Sequence, residues 1–203
     1  LRATTSRVSQ APVTGALPLT PVQSWFAGGS AIDQHHVNQA VLLRAGARLK
    51  DAAVRTVLEK IQDHHDALRI RFSRQDGQLV QKNADVGGAV ALDVVDLRDQ
   101  PQQAERAMAE HVGRLQASFD LERGPLMKAA IYRLPDVDRL LHVPHQVVVD
   151  GVSWRVLLED LSSGYERALA GRAIVFPAKT DSYQTWARHL QQLAETGAFA
   201  AER

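Results

Sequence analysis

The chain has 203 residues, 45% hydrophobic and 23% charged, and its 24 basic and 23 acidic side chains leave a formal charge of +1. Both signs run along the whole length, so no footprint for nucleic acid or an anionic membrane stands out. The lack of cysteine removes disulfides, thiolate nucleophiles and Cys-based zinc sites, and no apolar run reaches the roughly 18 residues that span a bilayer.

Residues 1–19 are polar with scattered Pro and Gly and read as a linker or loosely held arm. There is no signal-peptide segment and no initiator methionine, so the chain reads as a piece of a longer cytoplasmic polypeptide. Thr20 before Pro21 predicts an N-cap and a short helix through Trp25 and Phe26 that Gly28 and Gly29 end. A strand is predicted over 37–44. From Lys50 to His64 apolar side chains at Ala53, Val54, Val57, Leu58 and Ile61 recur at helical spacing. Leu68-Arg69-Ile70-Arg71-Phe72 alternates at period two, and Gln75-Asp76-Gly77 turns the chain into a hairpin. A strand over 89–95, a helix over 100–117 and a strand over 126–134 follow. The apolar run 140–149 reads as a strand that Pro144 marks as a bulge or a sheet edge. Helices over 153–170, stopped by Gly171, and over 182–195 complete the pattern. Strands and helices interleave with hairpins among them, which predicts a mixed α/β sandwich (α+β) and not a doubly wound parallel sheet.

No Gly-rich phosphate loop, His-Glu-x-x-His helix or Gly-x-Ser-x-Gly elbow is present. Polar residues concentrate at one strand end, His145-Gln146-Val147-Val148-Val149-Asp150-Gly151, which runs directly into the helix containing Ser153 and Trp154. Gly151 would permit tight backbone geometry there, and Ser153 would N-cap a helix beginning at Trp154. Trp25 and Phe26 read as core and wall packing. His35-His36 and His64-His65 do not make a metal site, because neighbouring side chains point apart and no carboxylate stands at ligand spacing from both pairs.

The 145–151 segment resembles the His-His-x-x-x-Asp-Gly signature of the condensation/epimerization domains of nonribosomal peptide synthetases, which share the chloramphenicol-acetyltransferase-like fold. Leu19-Thr20-Pro21-Val22-Gln23-Ser24-Trp25-Phe26, His64-His65-Asp66-Ala67-Leu68-Arg69-Ile70-Arg71-Phe72 and Val152-Ser153-Trp154-Arg155 agree with it in order. Trp25-Phe26, the 33–39 stretch Asp33-Gln34-His35-His36-Val37-Asn38-Gln39 and Asp150-Gly151-Val152-Ser153-Trp154-Arg155 resemble the epimerization versions. The resemblance runs from about residue 17 to the end, leaving 1–16 as the arm.

What the resemblance implies is the N-terminal lobe of a two-lobed domain, with the C-terminal lobe absent and a tunnel between the two lined here by Ser153, Trp154 and Trp25. Substrate would arrive as an aminoacyl or peptidyl thioester on the phosphopantetheine arm of a peptidyl carrier protein, with no cofactor bound directly and no metal. The second signature histidine and a glutamate of the other lobe would face the aminoacyl Cα from opposite sides. Here that second position is Gln146, whose amide has no useful proton affinity near neutral pH, so the chain is expected to be inactive as it stands. Deliberate replacement and natural divergence would both leave a glutamine there; His142 and Pro144, in place of the aliphatic residues usual before the signature, favour divergence. His145 is expected to support the loop, and Asp150 to form a buried ion pair with Arg69, which the family pattern favours over Arg71. A peptide-bond-forming condensation domain and a silent carrier-docking module are the other functions that the resemblance leaves open.

Overall fold

The computed structural model describes residues 8–28 and 34–196. The first seven residues, Gly29 and Asp33 lie outside that range. In chain order the elements are β1 (Gly15–Leu17), α1 (Pro21–Gly28), β2 (Val41–Arg44), α2 (Asp51–His64), β3 (Ile70–Gln75), β4 (Gln78–Asn83), β5 (Ala91–Asp96), α3 (Ala104–Ala117), β6 (Met127–Arg133), β7 (Asp138–Pro144), α4 (Gly151–Leu169) and α5 (Tyr183–Glu195). Among the described residues no helix is long and apolar enough to cross a membrane.

Strands β2-β7-β6-β5 form one sheet, in which only β5 and β6 run parallel, joined by the crossover that contains α3. Strands β1-β4-β3 form a second, antiparallel sheet. The mixed α/β sandwich read from the sequence is therefore the observed architecture. Period-two alternation in β6 and β7 splits the core between the two faces of the larger sheet. Ala130, Tyr132, Leu141 and Val143 pack with Ile70 and Phe72 of β3 and with Met108 and Leu115 of α3. Met127, Ala129, Ile131 and Leu140 pack with Val54, Val57, Leu58 and Ile61 of α2 and with Leu157 and Leu161 of α4. The hairpin between β3 and β4 turns on Asp76 and Gly77, both at positive φ (49° and 79°), the geometry a two-residue type I′ loop requires.

Three local readings are corrected. From residue 8 onward the polar opening stretch is not a loose arm: Gly15–Leu17 pairs with β4, and Gln10 and Lys179 exchange hydrogen bonds. The Gln184 side chain donates to the carbonyls of Thr14 and Ala16, and the Thr20 and Tyr183 hydroxyls meet at 2.8 Å. Pro144 marks neither a bulge nor a sheet edge. It is the last residue of β7, an inner strand, and the chain then turns through a 3-10 segment, Gln146–Val148. Arg69 precedes β3, in the 3-10 turn Asp66–Arg69, so the alternation starting at Leu68 begins two residues too early.

That turn holds the most demanding polar group of the fold. Arg69 is 1% exposed, and its Nη2 donates to Asp66 Oδ1 at 2.9 Å; the rest of the fork donates to the carbonyls of Gln62, Asp63, Ala84 and Val13. Arg69→Leu would leave Asp66 buried without this partner, with the Val13 N–H at 3.3 Å and Lys179 Nζ at 3.5 Å left to offset its charge. The expected loss is about 3 to 5 kcal/mol of unfolding free energy, measured by urea titration.

Candidate functional site

The site is built where β7 hands over to α4. At the strand end the His145 N–H donates to the Leu126 carbonyl at 2.8 Å and the Gln146 N–H to the Val37 carbonyl at 3.0 Å, so the backbone is pinned on both sides as it leaves the sheet. The His145 side chain is fully buried between the rings of Phe26 and Phe119, whose centroids lie 5.9 and 5.8 Å away. Its Nδ1 accepts from the Val147 N–H at 3.2 Å, which fixes the tautomer: Nε2 carries the ring hydrogen and donates to the Gln34 carbonyl at 2.8 Å. Burial pushes its pKa down to about 4. His145 is thus a neutral strut with both nitrogens engaged, in the loop-supporting role the resemblance implies.

Gln146 is exposed. Of the two signature positions, only this one presents a side chain outward. An amide there can donate and accept hydrogen bonds, and it cannot take a proton.

Asp150 does not pair with Arg69. It is exposed and caps α4, its Oδ1 accepting from the Ser153 N–H at 2.8 Å and from the Ser153 hydroxyl at 2.7 Å, while Ser153 Oγ accepts from the Asp150 N–H at 3.2 Å. The pair is a reciprocal capping box, so the N-cap is Asp150 and Ser153 sits at the third helical position. Hydrogen bonds from Ser153 hold the Asp150 carboxyl below the usual carboxylate range. The expected buried ion pair is met within one turn instead, by Asp66 three residues before Arg69. A carboxylate at that spacing, already quoted in the His64–Phe72 stretch, was the signal that would have found it.

Gly151 opens α4 without being forced to be glycine by its surroundings. A Cβ there would meet nothing within 4 Å, and its φ is not left-handed. The tight geometry expected of it is absent. Trp25 is 75% exposed on α1, so it is not core; Phe26 alone turns inward, against His145. Trp154 is partly buried. Its ring stands edge-on to His142 with centroids 5.6 Å apart, and its Nε1–H donates to Gln39 Oε1 at 2.5 Å.

A cleft of about 590 Å³ runs along the first turns of α4, between the His64–Leu68 turn and residues 177–183; Asp150 and Ser153 line it, while His145, Gln146 and Trp154 do not. His64 and His65 border it, and despite their adjacency their rings meet edge-on at 4.9 Å. His65 Nε2 contacts buried Asp160 Oδ2 at 2.7 Å, which ties the turn to α4.

Residues 13–203 match the family model described as the condensation domain. Tyrocidine synthase 1 of Brevibacillus parabrevis is 38% identical over 203 residues, covering 100% of this chain and 19% of that protein. The epimerization domain from the third module of tyrocidine synthetase B superposes with a TM-score of 0.91 at 39% identity, over 96% of this chain and 44% of that one. The first condensation domain of the calcium-dependent antibiotic synthetase shares the fold, with a TM-score of 0.75 at 20% identity over 90% of this chain and 44% of that one. The chain therefore spans about a fifth of that synthase and less than half of either solved structure.

Proposed function

The chain belongs to the condensation-domain family of nonribosomal peptide synthetases, and on that basis we propose that it is the N-terminal lobe of an epimerization-type domain of a cytoplasmic synthetase. Its substrate is an aminoacyl or peptidyl thioester on the phosphopantetheine arm of a peptidyl carrier protein, converted from the L to the D form. The observation that carries this reading is the likeness to an epimerization domain, a TM-score of 0.91 at 39% identity against 0.75 at 20% for a condensation domain.

In the proposed chemistry a base takes the α-proton, the electron pair moves onto the thioester oxygen, and a proton returns to Cα from the opposite face. In this reading the base of this lobe would stand at position 146, whose side chain is exposed. With an amide at 146 and with the glutamate of the other lobe outside this chain, these residues bind and orient a substrate without abstracting its proton. A second reading, a silent module that docks the carrier protein, draws on that same amide.

Solvent deuterium separates the readings. Full-length protein in D2O with a loaded carrier is expected to put deuterium at Cα once Gln146 is replaced by histidine, with no peptide bond formed when donor and acceptor carriers are both supplied. Peptide-bond formation instead would make it a condensation domain. Neither reaction, with the carrier still bound, would leave the docking module.

A further inference from the structure

Three consecutive residues ahead of β2 hold both ends of the site segment. The Val37 carbonyl accepts from the Gln146 N–H, Asn38 bridges His145 in antiparallel fashion, and the Gln39 N–H donates to the Pro144 carbonyl at 3.1 Å. Gln39 then reaches past the sheet end with its side chain to accept from Trp154 Nε1 at 2.5 Å. Trp154 is the first side chain of α4 to reach the sheet: Gly151 has none, Val152 is 75% exposed, and Ser153 is bound to its own cap. Beneath the indole, His142 is fully buried, and among the described residues neither of its ring nitrogens has a hydrogen-bond partner. Packing alone holds that ring, so it serves Trp154 as a shelf.

We propose that Gln39 and Trp154 are positioning residues whose hydrogen bond closes the 145–151 segment against residues 37–39 and so fixes the side chain at 146. The loop's leading end is held by backbone hydrogen bonds to 37–39, and its trailing end by this one side-chain bond from the same template. Cutting the bond frees α4's first turn to lift, and with it the direction in which position 146 points. The functional half of this inference rests on the epimerization reading; the structural half does not.

The test is a double-mutant cycle on Trp154→Phe, which keeps an aromatic ring on His142 and removes the donor, and Gln39→Met, which removes the acceptor. In the full-length protein each single variant is expected to speed amide hydrogen exchange across 147–151 about tenfold, the scale of one hydrogen bond, with α2 unaffected. The double variant should be no faster than either single. In the Gln146→His background each should lower kcat for α-proton exchange about tenfold with KM within about twofold, because misplacement acts on the transition state. Unchanged amide exchange, additive effects, or a raised KM at constant kcat would overturn the proposal. If Gln146→His alone gives no α-proton exchange, the reaction reading fails by itself, and amide exchange in the unmodified background still decides the positioning.

Discussion

In the full-length protein Gln146→His is expected to raise α-proton exchange on a carrier-bound thioester by about 10²- to 10⁴-fold, the usual contribution of a positioned general base. The expectation follows from how the two signature positions divide. His145 is buried between Phe26 and Phe119 with one nitrogen accepting from Val147 and the other donating to Gln34, so it has no site left for a proton from outside. Position 146 is exposed and its backbone is pinned to Val37, which gives a side chain there access and a fixed origin. An exposed imidazole would titrate near its ordinary range and be largely neutral at about pH 7.5, as a base must be. Following deuterium wash-in at Cα by mass spectrometry checks the result. In the Gln146→His background His145→Ala should lower stability and leave the route for the proton open, since the base would still stand at 146.

Acid is expected to unfold the protein between pH 6.5 and 4, through His142 and His145. Burial pushes both imidazoles from an ordinary 6.5 down to about 4. In that interval the unfolded chain binds protons that the folded one refuses, so stability is complete above about pH 6.5 and falls as pH drops toward the folded pKa; below it both states are protonated and the loss stops growing. Each histidine contributes about 3 kcal/mol to that loss. Together they match a large part of the stability of an ordinary domain. Urea midpoints from about pH 7.5 to about pH 4 measure the effect, and His142→Leu should halve the drop. The same substitution should not weaken the fold at neutral pH by more than about 1 kcal/mol, because among the described residues the ring it replaces has no hydrogen-bond partner. A His142→Leu protein that keeps the full acid dependence would count against burial as its origin.

How far the sequence reaches depends on whether a residue's environment is local. Helix α2 was legible because its apolar face repeats every three to four residues, and the β3–β4 hairpin because Asp76-Gly77 can hardly do anything else. The family was legible from four ordered stretches, and the buried, hydrogen-bonded state of His145 agrees with the supporting role expected of it. The partners of Arg69 and Asp150 were not legible. Both residues are charged and near the apolar segments, and pattern alone cannot say that one of them finds Asp66 within a single turn while the other turns outward to cap a helix. Trp25 went the same way, because a tryptophan beside a partly buried phenylalanine looks like core until α1 is seen to turn it outward. Residues 8–19 were misjudged for a different reason: what fastens them is β4, Arg69, Lys179 and Gln184, all distant in the chain. Composition records polarity, and it carries no information about such distant acceptors and donors.

The open surroundings of Gly151 have a practical side. The chain contains no cysteine, and a side chain at 151 would project into free space at the rim of the site without disturbing any neighbour. Gly151→Cys is therefore a chemical handle within this chain: a spin label or fluorophore attached there, at the start of α4, would report, as a distance, how closely a loaded carrier approaches.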